Sequence, residues 1–83
     1  MKVILDAGRM KNRKEAHTYL QEKLEFPDYY GKNLDALYDC LTELGDTEIQ
    51  IENREQAEAY YEKVQRVLLK AAEANSGLTI VVK

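Results

Sequence analysis

The segment Glu48-Ile49-Gln50-Ile51-Glu52 alternates acid, aliphatic, amide, aliphatic, acid, the two-residue period of a strand with one buried face. It lies between two stretches of helical period. Before it, Leu34, Leu37, Leu41 and Leu44 recur at three- and four-residue spacing. They predict a helix over 34–44, with Asn33 as its N-cap and Gly45 as its C′ residue. After it, apolar residues at 57, 60/61, 64, 67/68 and 71 predict a helix from Arg54 to about Asn75, opened by an Asn53/Gln56 capping box. No Gly or Pro interrupts that segment, so it reads as one helix, or as two joined by a slight kink. Gly77 closes it, and Leu78 to Val82 form a strand. At the other end, Lys2 to Leu5 form a short strand and Asp6 to Arg9 a turn. Asn12, with Glu15 as its capping-box partner, opens a helix over 13–25, and Pro27 stops it. Pro27 to Lys32 is a loop carrying two tyrosines. Helices between consecutive strands force parallel pairing through crossovers. The chain is therefore α/β, with a three-stranded parallel sheet.

At 83 residues the chain is the size of one domain, 1–83. Hydrophobic residues make up 45% and charged residues 33%, ordinary globular usage that excludes disordered, collagenous and membrane-spanning classes. The N-terminus meets Asp6 too early to hold a secretory signal. Cys40 is the single cysteine and has no internal disulfide partner, so the cytoplasm is the expected address. Charge is unevenly spread. Residues 1–27 carry net +2, residues 28–52 net −6 and residues 53–83 net +1. The middle third repels nucleic acid and attracts a cation or a basic partner. With a pI near 5.1 and no basic stripe, direct RNA or DNA binding is not expected.

On a helical wheel of about 100° per residue, Leu34, Leu37, Cys40, Leu41 and Leu44 gather on one side of helix 34–44. Tyr38, Thr42, Asp35, Asp39 and Glu43 fan out on the other. Like charges at i, i+4 cost a helix a few tenths of a kcal/mol. Asp35 offsets part of that from the first turn, where the dipole favours anions. Asp39 has no such compensation and is a poor helix former, and local choices against stability concentrate at functional sites. The alternative is a plain solvated face. Tyr29-Tyr30-Gly31 runs straight into the ridge, however, and sets aromatic area beside the carboxylates. One tyrosine belongs in the core; Tyr29 is taken as the outward one, a rigid contact residue. Gly31 permits positive φ or close approach of a neighbouring group.

Catalysis is not expected. Two carboxylates on a convex helix lack the desolvated pocket that raises a general acid's pKa. The sole histidine, His17, reads as a surface residue of the first helix. Cys40 reads as a packed thiol at the core edge. No phosphate loop or zinc-ligand cluster is present, and Asp35 with Asp39 would grip Mg²⁺ or Ca²⁺ only loosely. No cofactor is expected.

The run Tyr29-Tyr30-Gly31-Lys32-Asn33-Leu34-Asp35-Ala36-Leu37-Tyr38-Asp39-Cys40-Leu41-Thr42 strongly resembles the signature of the barstar family, intracellular protein inhibitors of guanyl-preferring bacterial ribonucleases. The resemblance implies a two-layer fold, no catalysis, no cofactor and a 1:1 complex with a small basic secreted ribonuclease. It implies that Asp39 enters the ribonuclease active site in place of an RNA phosphate. Asp35 would pair with a basic group on the guanine side, and Tyr29 would pack on the catalytic histidine. Gly31, Asn33, Leu34, Tyr38 and Thr42 match surrounding contacts, and Glu43 extends the acidic ridge. An anionic plug is the natural mimic for a phosphate-binding site.

The chain departs from the family pattern at Tyr38, where a tryptophan is common, and at Leu44, which replaces an aromatic. Lys70, with Glu73 nearby, aligns with a family acid; if Lys70 faces the enzyme, the partner differs there. Besides ribonuclease inhibition, the same acidic face suits an interaction or antitoxin domain that binds a different basic nuclease or protein. A small carboxylate enzyme is the remaining reading, and Asp35→Asn would abolish its turnover.

Overall fold

A computed structural model describes residues 1–83. Its strands are β1 (Lys2–Asp6), β2 (Thr47–Glu52) and β3 (Leu78–Val82), and its helices α1 (Arg13–Leu24), α2 (Leu34–Thr42) and α3 (Ala59–Ala74). Short 3-10 turns at Ala7–Arg9 and Arg54–Gln56 follow the first two strands. The sheet order is β1-β2-β3, all parallel. Val3 pairs with Ile49 and Leu5 with Ile51, while Ile49 pairs with Ile80. These residues share one face because side chains alternate along a strand, and Val3, Leu5, Ile49 and Ile51 are buried there. Leu20, Leu24, Leu37, Leu41, Tyr61, Val64 and Leu68 complete the core from the helices. The molecule measures 28 × 28 × 18 Å, its short dimension spanning one sheet and one layer of helices. The fold is a two-layer α/β domain.

Three readings of the sequence need correction. The segment 54–75 is not a continuous helix. Asn53 takes the left-handed conformation (φ 57°) without a side-chain cap, so its spacing to Gln56 makes no capping box. Arg54–Gln56 form only a 3-10 turn, Ala57 is extended, and α3 starts at Ala59. Next, α2 stops at Thr42 rather than at residue 44, and no glycine has positive φ. The end of α2 is held from elsewhere: Asn75 Nδ2 donates to Leu41 O at 3.0 Å and to Leu44 O at 2.9 Å. Leu41 O also accepts from Leu44 N at 3.3 Å, and Leu44 lies past the last turn, so a side chain just beyond α3 reinforces the helix end that Gly45 was expected to close. Finally, Gln50 is buried rather than solvent-facing. It sits mid-sheet between Ile4 and Val81, and its amide donates to Glu52 Oε2 at 3.1 Å.

Candidate functional site

Helix α2, the loop before it and its C-cap residue Glu43 hold the candidate contact residues. Asn33 is the N-cap: its side-chain oxygen accepts from Ala36 N at 2.7 Å, and its amide donates to Gly31 O at 3.2 Å. One side chain therefore fixes both the start of the helix and the exit of the loop. Arg13 of α1 adds a tie at 3.4 Å to Lys32 O. Positive φ falls on Lys32 (52°), not on Gly31. Gly31 instead serves close approach, since a Cβ there would lie 3.2 Å from Ala36 Cβ and 3.3 Å from the Asn33 amide nitrogen.

From this base Asp35, Asp39 and Glu43 project into solvent, at spacings of four residues. The chain's two salt bridges, Lys2–Glu48 and Arg54–Glu62, involve none of them. Leu34, Tyr38 and Thr42 are half-buried around the ridge. The Thr42 hydroxyl donates to Asp39 O at 2.8 Å, the local back-bond typical of threonine near a helix end. Leu37 and Leu41 are fully buried on the opposite side, as the wheel places them. Cys40 is half-buried; burial first, and then Glu43 and Asp39, push its thiol pKa up. A raised thiol pKa and partial burial suit a packing group.

The two tyrosines separate sharply. Tyr29 is 87% exposed, while Tyr30 is buried against Phe26 with ring centroids 4.9 Å apart. The Tyr30 hydroxyl lies 2.6 Å from His17 Nδ1, and His17 Nε2 lies 2.6 Å from the Tyr60 hydroxyl. His17 is thus fully buried, contrary to the surface role read from sequence. A neutral imidazole donates from one nitrogen and accepts at the other, so it satisfies one phenol as donor and the other as acceptor. Burial, reinforced by Arg13, lowers the His17 pKa. Burial likewise raises both tyrosine pKa values. The network joins α1, the tyrosine loop and α3 behind the acidic ridge. Sequence spacing held the clue: His17, Leu20 and Leu24 occupy the i, i+3, i+7 positions of one helical stripe.

No group of three or more His, Cys, Asp or Glu side chains is arranged to hold a metal ion. No helix is long and apolar enough to cross a membrane.

A parallel three-stranded sheet backed by helices, with a capped acidic helix turned outward, defines a small two-layer α/β domain of strongly segregated charge. The family model described as "Barstar (barnase inhibitor)" matches residues 1–83. The chain belongs to the barstar family, whose members are inhibitors, not enzymes. It is similar to the protein named "Putative ribonuclease inhibitor YrdF" of Bacillus subtilis (strain 168), with 56% identity over 41 residues. That match spans 49% of this chain and 45% of the relative, so under half of the relative's length is covered.

Proposed function

We propose that this protein inhibits a small basic ribonuclease of the barnase class by seating α2 and the Tyr29–Asn33 loop in its active site. The observation that carries the reading is the α2 ridge: Asp35 and Asp39, exposed and unpaired on a rigid capped helix, beside a tyrosine that is 87% exposed. Family membership supplies the inhibitor class. A site that binds RNA phosphates must be cationic, so carboxylates at fixed spacing compete for the same groups. Asp39 takes the phosphate position, Asp35 meets a basic group on the base-recognition side, and Tyr29 packs flat on an enzyme side chain. Gly31, Asn33, Leu34, Tyr38, Thr42 and Glu43 form the surround. The reaction is blocked by occlusion, in a 1:1 complex inside the cell that makes the enzyme.

The test is cleavage of a fluorogenic RNA by barnase and by related guanyl-specific ribonucleases, each titrated with the native chain and with Asp39→Ala. Stoichiometric inhibition is expected from the native chain. Asp39→Ala leaves enzyme cations buried without a partner, which costs about 3–5 kcal/mol. Association should also slow as salt rises, because opposite net charges steer the encounter. Inhibition that ignores both Asp39→Ala and salt sinks the mechanism.

A further inference from the structure

The groove between α2 and α3 has walls of opposite sign. Leu34 and Val67 form its floor, Asp35 and Asp39 stand on the α2 side, and Lys70 stands on the α3 side. Along α3 it continues past Lys63 and Arg66, with Glu73 as the one acid on that wall. Lys63, Arg66 and Lys70 are spaced i, i+3, i+7, which places them on one stripe of the helix. All three are exposed, and none forms an ion pair within the chain. Glu62, the acid four residues before Arg66, is already engaged by Arg54 at 3.5 Å. Two charge sets of opposite sign, with no salt bridge between them, therefore face outward across one apolar floor.

A protein partner that buries Asp39 covers roughly 800 Å². Lys70 lines the same groove as Asp39 and falls inside that footprint. A partner surface that was cationic throughout would be drawn to α2 and repelled by α3, and like charges brought together at an interface are strongly selected against.

We infer that Lys63, Arg66 and Lys70 are specificity residues, and that the ribonuclease this chain fits carries carboxylates on the rim of its cationic cleft. The cleft takes Asp35 and Asp39, and the acidic rim seats on the α3 cations. This rests on the ribonuclease reading of α2 and narrows it: partners with a uniformly basic rim are discriminated against.

The test uses whichever of barnase and its guanyl-specific relatives the native chain inhibits. Dissociation constants and association rates are measured for the native chain, Lys70→Glu, the Lys63→Glu/Lys70→Glu pair, Lys70→Arg and Asp39→Ala. Lys23→Glu makes the same change of net charge at an exposed position outside the groove and controls for overall charge. Lys70→Glu should weaken binding about tenfold or more and the pair further. Lys70→Arg should bind like the native chain, and Lys23→Glu should not weaken binding. Melting temperatures monitor folding. If Lys70→Glu binds as tightly as the native chain or tighter while Asp39→Ala still loses inhibition, the inference is overturned and the α2 reading stands. If no ribonuclease is inhibited and Asp39→Ala behaves like the native chain, both fall together.

Discussion

His17 Nδ1 and the Tyr30 hydroxyl lie 2.6 Å apart in the core, while Tyr29, the very next side chain, is 87% exposed. The buried bond anchors the loop and aims its exposed ring. A loop tied this way loses little conformational freedom on binding, and such pre-organisation strengthens affinity without new contacts.

Acid should therefore weaken this protein through His17. Its folded-state pKa lies below the ordinary 6.5, through burial and then Arg13. The unfolded chain thus takes up a proton at higher pH than the native state does. The stabilisation is complete above about pH 6.5 and is lost as pH falls below that value toward the folded pKa. Urea midpoints measured from pH 7.5 to 5 should decline through this window. His17→Gln should lower the midpoint at pH 7.5 and flatten the decline; an equal decline in that variant would assign the pH effect elsewhere.

Tyr29 and Tyr30 should respond oppositely to substitution. Tyr29→Ala removes an exposed ring and should leave the melting temperature within about 1–2 °C, since surface changes stay near ±0.5 kcal/mol. Where the ring packs on a ribonuclease, its loss should cost about 2 kcal/mol of affinity. Tyr30→Phe leaves a buried imidazole nitrogen without its phenol partner and should destabilise by about 1–3 kcal/mol. Thermal melts and inhibition titrations of the two variants check this, and a stability loss confined to Tyr29→Ala would contradict the assignment.

Asp39→Ala should separate folding from inhibition. Asp39 has no ion-pair partner and sits four residues from both Asp35 and Glu43. Removing it relieves like-charge repulsion of a few tenths of a kcal/mol per pair and introduces a better helix former. The variant should melt at or slightly above the native temperature while inhibition weakens severely. A marked drop in melting temperature would give Asp39 a structural role instead.

Asn75→Ala should loosen the end of α2 from a distance. It removes both hydrogen bonds to the carbonyls of Leu41 and Leu44, groups that are partly withdrawn from water. A loss of about 1–3 kcal/mol is expected, with faster amide exchange in residues 40–44. Unchanged exchange there would mean that water replaces the amide without loss.

The strand order was legible in sequence because both kinds of periodicity were clean. Ile49 and Ile51 alternate with polar residues, and Leu34, Leu37 and Leu41 mark one helix face. Asn33 was legible as a cap for the same reason that it works: a short side chain reaches the N–H of Ala36. The placement of Asp35 and Asp39 on the surface followed from the wheel, while the need to bury one aromatic put one of Tyr29 and Tyr30 outside without deciding which. The failures were non-local. Nothing in the run 54–75 announces the extended Ala57, because no Gly or Pro marks the break between the 3-10 turn and α3. The early end of α2 depends on Asn75, more than thirty residues away. His17 was misplaced because its two phenol partners come from a loop and from α3, and local sequence says nothing of either.

The ties from Asn75 back to Leu41 and Leu44 also bear on synthesis. A growing chain has made all of the acidic ridge by Glu43, yet the side chain that secures the end of that helix emerges only with residue 75, and β3 must still add itself beside β2. Pairings that close such long stretches of chain are slow and come together as a unit. Every nascent or truncated chain that ends before Asn75 carries the charges without their final support. Synthesis through Asn75 is thus the threshold for a finished ridge.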